Sequence, residues 1–150
     1  MDSVEQSRLA EHVADVLGKM DSVSKQLGIE RLSVGPGCAR MRLVIDDSMV
    51  NGHGLCHTGI LCTLADICTA YAACSYNENT LAQSLSIQLI APVPLGTKLY
   101  GNATEVCMSG RTGIYDVEIT NEAGAVVSVV RCQCRQTKGT VSENFPRGRN

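Results

Sequence analysis

Residues 51 to 74 read NGHGLCHTGILCTLADICTAYAAC. The first part offers groups that orient or polarise: Asn51, His53, Cys56, His57 and three glycines. The second part is an apolar run broken by a single charge, Asp66. No lysine or arginine occurs between Arg42 and Lys98, and the helical neighbours of Asp66 are Cys62, Thr63, Thr69 and Ala70. A carboxylate taken out of water without a cation holds its proton more tightly. That suits a general base or nucleophile working near neutral pH. The competing reading places Asp66 at a subunit edge or on a neighbouring backbone, since structural carboxylates are also perturbed.

The helix that carries Asp66 begins close to Thr58. The first amides of a helix have no internal partner and carry partial positive charge, so one there can polarise a carbonyl and hold an oxyanion. Asp66 lies two turns further on, ~11 Å along the axis, too far for both groups of one helix to grip the same carbon. A second copy of the chain, lending its amide to the first copy's carboxylate, resolves the geometry. His53, Cys56 and His57 invite a zinc reading, but the ligand set falls short and Gly54 makes the segment a loop. No metal is expected. His57 is expected to orient the loop or fix the helix start, and Cys56 lacks the base and orienting group of a catalytic thiol.

The elements that must position these groups follow from periodicity. Residues 3 to 27 carry apolar side chains at helical spacing and end at Gly28. Two strands follow, IERLSV and CARMRLVI, joined by Gly35-Pro36-Gly37. After the 48 to 57 loop, an apolar helix runs from about 58 to 75. Four strands complete the chain, at about 80–91, 97–108, 112–121 and 125–137, with connections short enough for antiparallel neighbours. A helix apolar around nearly its whole circumference must be enclosed, and a curved six-stranded antiparallel sheet can enclose it. The expected class is α+β, a hotdog: an antiparallel sheet wrapped around one central helix, with an N-terminal helix beside it. One domain spans 1–150, with 1–28 as the N-terminal helix and 139–150 as a flexible polar tail.

Composition narrows the partners. A net charge of −2 provides no global field for nucleic acid or anionic lipid. The first twenty residues lack the pattern of a signal peptide, and no run approaches the ~18 apolar residues of a membrane span. A cytoplasmic protein is expected. Its eight cysteines form no C-x-x-C pair and read mostly as small buried hydrophobes in a reducing compartment.

Asn51-Gly52-His53, Cys56-His57-Thr58-Gly59 and Leu64-Ala65-Asp66 together resemble the active-site segment of PaaI-type hotdog thioesterases, the phenylacetic-acid-degradation proteins. Pro92 with Gly96, the run SGRTGIYDVEITNEAG and Lys138-Gly139-Thr140 extend the likeness over roughly residues 10 to 141. The resemblance implies hydrolysis of acyl-coenzyme A thioesters, including ring-hydroxylated phenylacetyl-CoA, with no metal or separate cofactor. It also implies dimers that pair their sheets, share active sites and assemble as a homotetramer. Asp66 matches the catalytic carboxylate, and the Thr58 amide matches the group that polarises the thioester. Asn51 matches the asparagine that positions the nucleophile or thioester, and His57 the loop histidine. Gly59 follows as part of the substrate loop.

Three departures bear on specificity. Thr58 stands where the family usually has glycine, which keeps an amide but narrows the pocket or restrains its loop. Ala91 stands where arginine is frequent. In AQSLSIQ, either Gln83 or Ser84 takes the place from which relatives offer a hydroxyl to the attacking water. For the phosphates of coenzyme A, Arg111 in the turn with Thr112 and Gly113 is the first candidate, because guanidinium matches phosphate geometry. Lys98, Arg131, Arg135 and Lys138 are further cations in reach of that role. Two rival readings keep the fold: a hydratase or dehydratase of acyl thioesters that uses His57 as base, and a non-catalytic acyl-CoA-binding module.

Overall fold

A computed structural model describes residues 1–149. Asp2 opens α1 (Ser3–Met20) with a capping box: its carboxylate accepts from the Glu5 amide at 2.8 Å, and Glu5 accepts in return from the Asp2 amide at 2.9 Å. The periodicity suggests one helix to residue 27, but the structure divides it at Asp21. The Asp21 carboxylate accepts from the Ser24 amide at 3.0 Å and so caps a second short helix, α2 (Ser22–Leu27). An aspartate that caps its own successor gains more from the break than from continuing the helix.

The hairpin is β1 (Glu30–Gly35) and β2 (Cys38–Val44). A single 3-10 turn, Asp47–Met49, and the loop that follows lead into α3 (Thr58–Cys74). The remaining strands are β3 (Thr80–Leu89), β4 (Lys98–Ser109), β5 (Thr112–Thr120) and β6 (Val126–Gln136). All pair antiparallel in the order β1-β2-β4-β5-β6-β3. After β2 the chain uses α3 to cross the sheet and reach its far edge. That crossing is why the helix lies along the concave face and why β3 is an unpaired edge.

Leu61, Leu64, Ala65 and Cys68 of α3 pack on Met41, Leu43, Leu99, Val117 and Ile119 of the sheet. The closest approach is at Gly101, where an added Cβ would lie 2.6 Å from the Cys68 sulfur. Gly101→Ala is therefore expected to cost about 1–3 kcal/mol through overpacking, seen as a lower urea midpoint with an unchanged slope. Five cysteines (Cys56, Cys68, Cys74, Cys132, Cys134) are buried and none of the eight is paired.

The expected hotdog is present: one antiparallel six-stranded sheet wraps α3, with the N-terminal helix beside it. The wrapping leaves one stripe of the helix open, and Gly59, Thr63, Asp66 and Ala70, at helical spacing, stay exposed or half-buried. One sheet of six strands covers only the helix faces turned towards it, and α1, packed beside the C-terminal part of α3, borders the stripe without covering it. The tail, expected to be flexible from 139, is docked through residue 149. Asn77, fully buried at φ 60°, donates its side-chain amide to the carbonyls of Ser142 (2.9 Å), Phe145 (2.8 Å) and Pro146 (3.2 Å). Its side-chain oxygen accepts from the Ser142 amide at 2.8 Å, and Arg149 pairs with Glu105 while lying over the Tyr76 ring. Polar composition hid this docking because the contacts are largely to backbone, which composition does not register.

Candidate active site

The loop before α3 is built by Asn51. Its side-chain oxygen accepts from the amides of His53 (2.9 Å) and Leu55 (3.2 Å), and its own amide donates to the Leu55 carbonyl at 2.7 Å. A short polar side chain that bonds its own following backbone holds the turn open towards the helix start. His57 is the N-cap of α3: its Nδ1 accepts from the Gly59 amide at 2.9 Å. The Ile60 amide donates to the His57 carbonyl at 2.9 Å. Among the described residues the Thr58 amide has no acceptor, so the helix presents one free N–H at its positive end.

His57→Ala is thus expected to cost about 1 kcal/mol of stability, with His57→Asn recovering most of it. Thermal unfolding of the two variants checks this. Cys56 is no nucleophile in this setting. Burial pushes its thiol up to about 11, and its sulfur contacts the His57 carbonyl at 3.5 Å rather than the ring. No group of three or more His, Cys, Asp or Glu side chains among the described residues is arranged to hold a metal.

Asp66 stands on the open stripe of α3 and lines a groove of about 630 Å³. The walls include Leu17, Met20 and Val23 from the N-terminal helices, Ile67 and Ala70 from α3, and Leu85 from β3. The carboxylate is exposed on the single chain, yet these apolar walls displace enough water to raise its pKa above the ordinary 3.8. No cation pairs with it among the described residues. Thr58 lies about two turns away, ~12 Å along the axis. It lines a different, smaller groove with Asn51, Leu61, Leu89, Ile90 and Pro92, and the two grooves share no lining residue. One chain thus carries the unpaired carboxylate and the free amide in two separate grooves along one helix.

The other candidates separate from these. Gln83 is the extra residue of a bulge in β3, and Ser84 pairs with Gln133. The Gln83 side-chain oxygen lies 3.5 Å from the Gln133 amide nitrogen. Cys132 and Cys134, the neighbours of Gln133 in β6, face the core, so Gln83 and Ser84 sit on the outer face. Leu85 is the β3 residue that lines the Asp66 groove. The Arg111 turn lies at the end of the sheet where α3 stops, opposite Thr58. There Ser75 of the helix end accepts from the Gly37 amide at 2.8 Å, and Cys38 pairs with Thr104 on the way to that turn.

Arg111 and Thr112 are therefore not brought to Thr58 within one chain. Gly113 is packed tightly: a Cβ there would meet the Met108 sulfur at 2.4 Å. Arg131 is held by Asp116 at 2.7 and 2.8 Å on the outer face. Tyr71, which also lines the Asp66 groove, is not singled out by the sequence pattern. The sequence carries little signal for it, since five residues after Asp66 is about 140° around the helix from that side chain.

Known proteins share this sequence pattern and fold. The Thioesterase superfamily matches residues 53–128. The acyl-coenzyme A thioesterase PaaI of Escherichia coli is 32% identical over 129 residues, covering 86% of this chain and 92% of that protein. The structure of the E. coli PaaI protein from the phenylacetic acid degradation operon superposes with a TM-score of 0.87, covering 89% of this chain and 97% of that one. An Asn→Asp variant of the phenylacetic acid degradation protein PaaI from Thermus thermophilus is 28% identical. It covers 78% of this chain and 100% of that one, with a TM-score of 0.75.

Proposed function

Because the chain belongs to the thioesterase superfamily and is a thioester hydrolase of the PaaI type, we propose that it hydrolyses acyl-coenzyme A thioesters at a site shared between two copies. The observation that carries the reading is the pairing of incomplete halves: an unpaired carboxylate in an apolar groove and a free helix-end amide two turns away in another. A two-fold dimer that joins the β3 edges sets two α3 helices antiparallel, so each Asp66 meets the partner subunit's helix start. Exposed Leu81, Leu89 and Ile90 on and beside that edge favour its being covered. Two such dimers form the tetramer expected of the family.

In the reaction, the Thr58 amide of one copy donates to the thioester carbonyl oxygen. Asp66 of the other takes a proton from water as the water oxygen bonds to the carbonyl carbon, or bonds to that carbon itself. Collapse of the tetrahedral intermediate breaks the C–S bond. By the first route the proton held by Asp66 passes to the departing sulfur, leaving the carboxylic acid and the free thiol of coenzyme A; by the second the thiolate takes its proton from water and leaves an anhydride, which a further water opens to the acid and the regenerated carboxylate. The N–H acts where charge develops, which is the largest source of rate in acyl transfer. Asn51 holds the loop, His57 aligns the helix start, and Arg111 is assigned to the coenzyme A phosphates from an end reached only in the assembly.

Aryl-acyl thioesters such as hydroxyphenylacetyl-CoA are the proposed substrates. The test is release of free thiol from a panel of aryl and straight-chain acyl-CoAs. Turnover ranked towards aryl groups supports the proposal. Saturable binding with no thiol release makes the chain a binding module instead.

A further inference from the structure

Tyr71, 6% exposed, lines the Asp66 groove with its hydroxyl donating to the Asp21 carboxylate at 3.3 Å. Behind it lies a second cavity, also about 630 Å³, with Ala14, Ile29 and Met41 in its wall and Lys19, Lys25 and Arg31 around it. Tyr71 is the one described residue that lines both cavities. The phenol is clamped rather than mobile. Asp21 is fixed by capping α2 through Ser24, and Gly18 of α1 lies beside the hydroxyl, where an added Cβ would make ordinary contact at 3.6 Å. Burial, with Asp21 beside it, pushes the phenol up to about 12, so it stays a neutral donor to that carboxylate.

We propose that Tyr71 is a specificity-determining partition: it closes the acyl groove and limits the length of the acyl group that Asp66 can serve. This deepens the thioesterase reading and rests on it. Tyr71 follows Asp66 by five helical residues, ~7.5 Å along the axis and about 140° around it, so the two side chains wall the groove from different sides at a separation on the scale of one aromatic ring or about six carbons. A longer straight chain meets the ring edge and must bend back towards solvent, losing the burial that favours it. Removing the ring joins the groove to the cavity beyond, whose inner wall is apolar enough to take further methylenes.

The experiment measures kcat/KM for hexanoyl-CoA and dodecanoyl-CoA with wild type, Tyr71→Phe, Tyr71→Leu, Tyr71→Ala and Ala70→Leu. The readout is the dodecanoyl to hexanoyl ratio within each variant, so a general loss of activity or folded protein cancels. Tyr71→Ala and Tyr71→Leu are expected to raise the ratio about tenfold or more. Tyr71→Phe keeps the ring and the wild-type ratio, whereas Ala70→Leu narrows the groove and lowers it. If Tyr71→Ala does not fold, the leucine variant and Ala70→Leu give the answer. A ratio unmoved in Tyr71→Leu and Ala70→Leu, with turnover present, overturns the partition and leaves the thioesterase standing. No thiol release by wild type from any acyl-CoA overturns both.

Discussion

Asp66→Asn is expected to lower kcat for thioester hydrolysis by about a thousandfold, the scale of a lost general base or nucleophile, while KM and the oligomer are retained. Asparagine has nearly the same shape, so the groove and the stripe of α3 persist. The pH dependence follows from the apolar walls. They raise the Asp66 pKa above 3.8, so the active carboxylate is lost, and activity with it, as pH falls through a value higher than an unperturbed aspartate would show. Stability carries the opposite sign. Between 3.8 and the raised value the folded state binds the extra proton, so Asp66 destabilises the fold increasingly as pH rises through that window. The asparagine variant is then expected to unfold at a higher temperature than wild type at pH 7, with the gap closing towards about pH 4. Thiol release and thermal melts across pH test both halves. Wild-type kcat in the variant would remove Asp66 from the chemistry.

Asn77→Ala carries the largest expected loss of stability, about 3 kcal/mol. The change strips donors from three buried-side carbonyls and an acceptor from the Ser142 amide, and it leaves alanine at φ 60°. For a chain of this length the melting temperature should fall by about 10 °C at matched protein concentration. Asn77→Gly separates the two causes: it relieves the left-handed backbone but still loses the side chain, so it should recover only about 1 kcal/mol. A loss below about 0.5 kcal/mol in Asn77→Ala would mean that residues 142–149 do not hold the end of α3.

Much of the fold was legible because its signals are local. Thr58 to Cys74 is apolar over a helical length and is preceded by glycine-rich loop, which predicts α3 to within a residue. The β4–β5 and β5–β6 turns are short and rich in Gly and Asn, so strand ends fell within two residues of their places. The break at Asp21 was not legible, because an aspartate at a polar helix position and one that caps a new helix look alike. What decides is that Ser24 lies within reach and that Tyr71 donates to the same carboxylate.

The residue types of the site, and the order Asn51, His57, Thr58, Asp66, were determined by the sequence itself. Capping and a free first amide follow from where a helix begins, and a lone charge in an apolar run is visible without coordinates. The sequence likewise determined that Thr58 and Asp66 lie too far apart to act together in one chain, since helix rise is fixed. Only the tertiary structure decided which face of α3 stays open and that β3, unpaired at the sheet edge, is available to a second copy. It also decided that the Arg111 turn lies at the opposite end from Thr58, and that a tyrosine stands between two cavities. Those facts depend on strand order and on side chains that meet from distant parts of the chain. Hydrophobic pattern determines what is buried, but it does not determine what it is buried against.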